Sequence, residues 1–166
     1  MKKLFQQQCY CALFLTSSSC LLSSFSYANQ APSEPTSRLA SSQHVSVEHY
    51  QEDWNNMIAV IQQVDVPAMT MLTQDDQEPT EEQLETVSSA IRKLNESINK
   101  VTFITPEGKK AKDLFIAYND DSLSAILKYS ELKDNAALQQ QLSQKSYELN
   151  TQLVKALQNL QMRAQQ

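Results

Sequence analysis

The sequence predicts an all-α protein, and three observations lead to this prediction. Apolar residues recur at alternating spacings of three and four along most of the chain, which is the period of one helix face. The 166 residues are rich in good helix formers. They include a single glycine, Gly108. Because tight hairpins, phosphate-binding loops and nucleophile elbows rely on glycine, its scarcity disfavours an all-β fold and most loop-borne active sites.

The first 28 residues have the pattern of an export signal. Lys2 and Lys3 precede a short apolar stretch at 9–22, and Ser26-Tyr27-Ala28 has the small-x-small pattern that signal peptidase recognises. The stretch is too short and too rich in serine for a transmembrane helix. We therefore predict a signal peptide at 1–28, cleavage after Ala28, a periplasmic or secreted location, and no integral membrane segment after cleavage.

All three cysteines lie within this signal, so the mature chain is expected to have neither a disulfide nor a reactive thiol. Lipidation of Cys20 is the alternative to simple cleavage, although Ser17 stands where a lipoprotein signal carries an apolar residue. Residues 29–44 contain two prolines and many serines without apolar periodicity, which predicts a disordered spacer. The helical-bundle domain is expected to span 45–166.

Four helical segments are predicted in this domain, each from an apolar stripe. The first stripe is a heptad seam, and Pro67 should kink or stop its helix near Val66. Its members are Val47, Tyr50, Trp54, Met57, Ile61, Val64, Ala68 and Met71. The second segment starts with a capping box at Thr80–Gln83. Its members are Leu84, Val87, Ile91, Leu94, Ile98 and Val101.

The third segment is expected to begin with Thr105 as N-cap and Pro106 at the first helical position. Its stripe consists of Ala111, Leu114, Phe115, Tyr118, Ala125, Ile126, Tyr129 and Leu132. Residues 119–122 are a candidate break, because Asn, Asp and Ser side chains compete for backbone hydrogen bonds. The fourth segment should begin near Asp134 or Asn135. Its stripe consists of Leu138, Leu142, Leu149, Leu153, Ala156 and Leu160.

Near-equal segment lengths and short connections predict an up-down-up-down four-helix bundle with coiled-coil-like seams. The alternative is a three-helix core with a loosely packed first helix, because Pro67 weakens that segment.

Composition and spacing disfavour several functions. After signal removal the chain has 12 basic and 19 acidic residues, a net charge of −7, which opposes nucleic-acid binding. No metal or cofactor is predicted: His44 and His49 lie off the seam, Met69 and Met71 diverge on a helix, and the acidic residues of 75–85 lack calcium-loop spacing. Without a thiol, or a histidine placed to activate a serine, we predict no enzyme activity.

Two short segments resemble the Leu-Thr-x-x-Gln motif of periplasmic, ATP-independent chaperones of the Spy type. They are Pro79-Thr80-Glu81-Glu82-Gln83 and Ile104-Thr105-Pro106-Glu107-Gly108. The first lacks the leucine and the second lacks the glutamine. Because helix capping alone explains both segments, we assign the chain to no family.

A second apolar ridge is the candidate binding surface. Ile116, Leu123 and Leu127 lie roughly 140° from the core stripe of the third segment, at about 100° per residue. Tyr147 and Val154 form a similar ridge on the fourth segment. If these two helices are neighbours, the ridges would merge into one patch. The alternative is that the third helix is broken and re-phased, which would place its ridge in the core.

The sequence thus predicts an exported, non-catalytic protein that acts through protein–protein interaction, as a subunit, an adaptor or a chaperone-like factor. Its partner would be another protein or a second copy. The alternative is a periplasmic sensor or carrier that binds a small apolar ligand between helices. An exposed apolar ridge would favour interaction, a buried cavity would favour the carrier, and an inward-facing polar cluster would favour an enzyme.

Overall fold

The computed structural model describes residues 45–74 and 78–166. The predicted signal peptide, spacer and cleavage site lie outside the described residues. Six helices and no strand occur in the described ranges, so the all-α prediction is confirmed. They are α1 (Val47–Ile61), α2 (Val66–Gln74), α3 (Glu81–Lys100), α4 (Pro106–Leu127), α5 (Tyr129–Leu132) and α6 (Ala136–Ala164). Within the same ranges, no helix combines the length and the apolar character that crossing a bilayer requires.

Three predicted helix starts are confirmed by their capping hydrogen bonds. The Gln83 backbone N–H donates to Thr80 Oγ1 over 3.2 Å, and the Thr80 N–H donates to Gln83 Oε1 over 2.8 Å, which completes the capping box of α3. Thr105 and Asn135 cap α4 and α6. The side chain of each accepts the N–H three residues later, over 2.9 and 3.0 Å respectively. These caps are local, so the sequence alone is enough to place them.

The first predicted segment is divided into two helices. We expected the helix to kink or stop near Val66, but α1 ends at Ile61 and α2 begins at Val66. Pro67 therefore lies in the first turn of α2, where a missing N–H breaks no helical hydrogen bond. Asp65 supports this start, because its Oδ1 accepts the Ala68 N–H over 3.0 Å.

Helix α4 is the most extensively packed helix. It lies against α6 and α3 along much of its length, and it also contacts α1 and α5. The two helices of the first predicted segment have different partners. Helix α1 packs mainly against α6, whereas α2 packs against α3. The two pieces of the first segment therefore cover different neighbours.

The buried apolar side chains form one large cluster and two small ones. The large cluster, here the basal core, surrounds the start of α4. Its buried members are Met57, Val60, Ile61, Leu94, Ile98, Phe103, Ala111, Phe115, Tyr118, Leu153, Ala156, Leu157 and Leu160. The α2–α3 cluster comprises Leu72, Val87, Ile91 and Ile126. The α5–α6 cluster comprises Ala125, Leu132 and Leu142.

The candidate break at 119–122 is wrong, because α4 runs without interruption from Pro106 to Leu127. Asn119 Nδ2 donates to Asn95 Oδ1 of α3 over 2.8 Å, and Asp121 accepts a hydrogen bond from Ser146 of α6. Asn119 and Asp121 are thus engaged by neighbouring helices, whereas the Ser122 hydroxyl donates to the Tyr118 carbonyl within α4 without interrupting the helix. We call Asn119, Asp121, Ser122 and Ser146, which are all buried, the polar belt; along α4 and α6 it separates the basal core from the two small clusters.

Candidate functional site

The five predicted contact residues differ in exposure. Leu127 and Tyr147 are 70% and 58% exposed, whereas Ile116, Leu123 and Val154 are half-buried. Ile116 packs against the basal core and Leu123 against the α2–α3 cluster, so the expectation that both lie beyond the core edge is corrected. The reason is that α4 contacts several helices, which widens its buried face beyond that of a helix with one partner.

The two ridges do not merge into one patch. Leu123 packs with residues of α2 and α3, and Leu127 follows one turn later on the same side of α4. Ser146 of α6 donates a hydrogen bond to Asp121 of α4. Asp121 lies two residues before Leu123, so the side of α4 that faces α6 is roughly 200° around the helix from Leu123. Leu127 and Tyr147 therefore belong to separate parts of the surface. Whether either binds a partner stays a prediction.

Tyr147 lies on the outward face of α6. Helix α1 packs against α6 but ends at Ile61, and α2 then packs against α3. In the first half of α6, through Asn150, only Leu142 and Ser146 are buried. In the second half the buried residues are Leu153, Ala156, Leu157, Leu160 and Ala164. At about 100° per residue, Tyr147 lies roughly 140° from Leu142, 100° from Ser146 and 180° from Ala156, so it faces away from the packed side of α6.

A fully buried carboxylate joins α1 to the start of α4. Asp53 is 0% exposed, and its Oδ1 accepts the Ile104 N–H over 2.9 Å. Its Oδ2 accepts the Thr105 N–H over 2.8 Å and the Thr105 hydroxyl over 2.7 Å. The same hydroxyl oxygen accepts the Gly108 N–H, so the bonds continue into the first turn of α4. Both carboxylate oxygens are therefore satisfied, as a buried charge requires.

The single glycine of the chain is explained by this contact. A Cβ at Gly108 would lie 2.2 Å from Asp53 Oδ2, so a larger residue would displace the carboxylate. The structure turns Asp53 inward and leaves His49 exposed. A lone glycine inside a helical segment was the available signal, because it marks a close approach.

A second buried carboxylate joins α4 to α6. The Asp121 side chain is 1% exposed, its Oδ2 accepts the Ser146 hydroxyl, and Lys145 Nζ lies 2.7 Å from its Oδ1. Lys145 itself is 60% exposed. Ser146 is buried beside this carboxylate, where no substrate reaches its hydroxyl from solvent. The arrangement therefore cross-links two helices and offers no accessible nucleophile.

An inward-facing polar cluster was the feature expected to favour an enzyme, and these two carboxylates are inward-facing. Their hydrogen bonds, however, do not favour catalysis. Three of the four carboxylate oxygens accept hydrogen bonds from other groups of the protein. The fourth, Asp121 Oδ1, faces the Lys145 ammonium. In the ranges 45–74 and 78–166, no three His, Cys, Asp or Glu residues converge as a metal site would need. Neither cluster is thus arranged to bind a substrate or a cation.

An open groove lies at the end of the molecule where α4 begins and α6 ends. It has a volume of about 400 Å³ and is lined by Glu107, Asn159, Met162, Arg163 and Gln166. Beside it the Tyr50 hydroxyl donates to Glu107 Oε2 over 3.0 Å. Burial and this hydrogen bond raise the pKa of Tyr50. Four of the five lining residues are polar, so the groove does not suit the apolar ligand of the carrier alternative.

No protein-family model matches the chain, and no significant similarity to a curated protein or to a solved structure is found.

Proposed function

We propose that the chain is an exported protein whose helical domain acts by binding another protein, as a subunit, an adaptor or a chaperone-like factor, without catalysis. The observation that carries this function is the exposure of Tyr147, a large aromatic side chain, on the outward face of α6. Tyrosine is enriched at interface centres, because a rigid ring provides contact area at little cost in conformational entropy. Leu127, on a separate surface, is a second candidate contact.

The finer architecture belongs to the same proposal. The domain is an up-down-up-down four-helix bundle in which α1 and α2 together occupy the position of one long helix. Contacts of α1 with α6 and of α2 with α3 support it, as does the hairpin of α3 and α4 across residues 101–105.

Export is the third part of the proposal. The signal at 1–28 would direct the chain to the periplasm or out of the cell, and the spacer at 29–44 would separate the domain from the cleavage site. The intact mass of the protein purified after export should correspond to a chain that begins at Asn29. A membrane-retained, lipid-modified species that begins at Cys20 would contradict cleavage after Ala28.

The binding proposal is tested by photo-crosslinking in the native host. A photoreactive phenylalanine analogue is placed at Tyr147 in one variant and at Met162 in the other. Met162 is the matched control, because it is also apolar, is 55% exposed and lies on the same helix near its other end. We expect one discrete adduct from position 147 and none from position 162. The mass of the adduct identifies a different protein.

A second experiment tests whether Tyr147 itself is needed for the crosslink. The variant Tyr147→Lys carries the photoreactive analogue at position 151, and its adduct is compared with that of the same analogue in the otherwise unchanged protein. This change should abolish the adduct and leave the melting temperature unchanged, because Tyr147 is mostly exposed. An adduct that persists in Tyr147→Lys, or equal adducts from positions 147 and 162, would reject the surface. An adduct of twice the chain mass would replace the proposed partner with a second copy.

A further inference from the structure

We infer that the domain opens in two steps, and that the part above the polar belt opens while the basal core stays folded. This upper part comprises α2, α5, the first halves of α3 and α6, and the end of α4. Among the described residues, its buried apolar side chains number four in the α2–α3 cluster and three in the α5–α6 cluster. The basal core contains thirteen. Local stability follows the number of buried apolar contacts, so the upper part should be the less stable one.

The two upper clusters share no buried apolar side chain. Ile126 belongs to the α2–α3 cluster, and its neighbour Ala125 belongs to the α5–α6 cluster. Tyr129 of α5 also packs against the α2–α3 cluster, so α5 links the two clusters, but each of them remains small. In the basal core, by contrast, residues of α1, α3, α4 and α6 share one contact network. Loss of α5 or α2 from its place breaks few contacts, whereas loss of α1 breaks the shared network.

The polar belt makes a suitable boundary between the two parts. When the upper part opens, water can replace the hydrogen bonds that Asp121 and Asn119 lose, since these groups are polar. Lys145 is already 60% exposed, so water can readily replace Asp121 at its ammonium. An apolar layer at this level would instead expose carbon surface on both sides of the break. The belt therefore lowers the free-energy cost of separating the two parts.

The opened state would present surface that the closed state hides. Leu132 is 0% exposed and Leu142 is 9% exposed in the closed structure, and both lie in the α5–α6 cluster. Opening would bring these side chains to solvent on the same end of α6 that carries Tyr147. The two-step opening does not require the proposed partner, and it can be measured on the isolated mature protein.

Native-state hydrogen exchange, read by mass spectrometry, tests the two steps. In the mature protein, amides of α5 and of residues 139–149 should exchange about tenfold or more faster than those of residues 153–164. The decisive variant is Leu153→Ala, in the basal core. This change lowers the free energy of unfolding of the basal core and leaves the free energy of opening of the upper part unchanged. Only the amides of the basal core should therefore exchange faster.

Leu142→Ala is the matched variant in the upper part. Leu142 loses its contacts both in the partial opening and in complete unfolding, so this change should accelerate amides in both parts. If Leu153→Ala accelerates both parts equally, the domain opens as one unit and the inference is overturned. Should Leu153→Ala fail to fold, Leu153→Val removes fewer atoms and allows the same comparison.

Discussion

The basal end and the polar belt each contain a buried aspartate, but the two carboxylates are satisfied in different ways. Asp53 accepts hydrogen bonds only from uncharged donors, two backbone N–H groups and one threonine hydroxyl, at the start of α4. Asp121 accepts a hydrogen bond from the Ser146 hydroxyl and forms an ion pair with the ammonium of the exposed Lys145. The first site is closed by backbone within the basal core. The second depends on a flexible side chain that water already reaches.

This difference indicates which part of the domain is more rigid. At Asp53, the helix start, the threonine and the missing Cβ of Gly108 must all be in place together, so the register of α1 against α4 has little freedom. Buried polar groups can define one register in this way, because a shifted alignment would leave a charge without partners. At Asp121 the lysine can follow small displacements of α6. Substitutions at Gly108 and Lys145 test this contrast directly, and those at Leu123, Leu127 and Tyr50 extend it to other parts of the domain.

The largest effect is expected from Gly108→Ala. Alanine is the better helix former, yet the added Cβ would lie 2.2 Å from Asp53 Oδ2 and displace the carboxylate from its donors. The change should lower the free energy of unfolding by about 3 kcal/mol, combining overpacking with lost hydrogen bonds. Chemical denaturation measures it, with exposed Lys109→Ala as the control.

A double-mutant cycle with Asp53→Ala separates this contact from any general effect of alanine at position 108. Once the carboxylate is removed, Gly108→Ala should cost little or become stabilising. Independent, additive effects of the two changes would mean that Asp53 does not require the glycine.

A smaller loss is expected from Lys145→Met, which keeps the apolar stem and removes the charge that faces Asp121 Oδ1. The cost should be about 2 kcal/mol, unusual for a side chain that is mostly exposed, because the buried oxygen loses its ion-pair partner. Lys155→Met is the control on the same helix, since Lys155 is exposed and forms no ion pair with the described residues. Equal melting temperatures for the two variants would show that the belt does not need Lys145.

The apolar ridge of α4 provides a third test, because its members differ in packing. Leu123→Lys should cost about 1.5 kcal/mol, since Leu123 packs against the α2–α3 cluster and a lysine can only partly reach water. Leu127→Lys should change stability by less than about 0.5 kcal/mol, because Leu127 is 70% exposed. Thermal unfolding of both variants gives the comparison. Similar losses would mean that Leu127 is buried in solution, by a second copy or by a partner.

The smallest effect concerns alkaline pH. Burial, followed by the hydrogen bond to Glu107, raises the pKa of Tyr50 above its ordinary value of 10.0. The folded state therefore favours the neutral phenol. This contribution to stability is present below pH 10.0 and is lost as the pH rises through the folded-state pKa. Tyr50→Phe should remove this part of the pH dependence. Ultraviolet titration that shows Tyr50 ionising at or below its ordinary pKa would contradict the assignment.

The upper part contains a comparable group. Burial, with a smaller contribution from Glu78, raises the pKa of Tyr129 as well. If the upper part opens while the basal core stays folded, ionisation of Tyr129 should favour that opening, because the open state exposes the phenol.

The local features of the fold were predictable from the sequence. The all-α class, the capping box at Thr80–Gln83, the N-caps Thr105 and Asn135 and the second stripe all follow from side chains within a few residues of one another. Caps and stripes depend on spacing along one helix, so no knowledge of neighbouring helices is needed. Four of the six stripe residues of α3 are buried and the other two are partly buried.

The candidate site was predictable only in part. Leu127 and Tyr147 are exposed as expected, but Ile116 and Leu123 pack against the interior, because α4 contacts several helices at once. A stripe drawn on an isolated helix assumes one partner helix, and it cannot show how wide the buried face becomes with four. The role of Asp53 was missed for a similar reason, since its donors lie more than fifty residues away in the chain.

By itself, the sequence determined which segments are helical and where three of them begin, because those features depend on local hydrogen bonds and on periodicity. Only the tertiary structure decided the end of α1 at Ile61, the continuity of α4 through 119–122 and the burial of two aspartates. At each of these places a polar or apolar group finds a partner on another helix. The free energy of that contact outweighs the local preference of the chain to turn, to break or to face solvent.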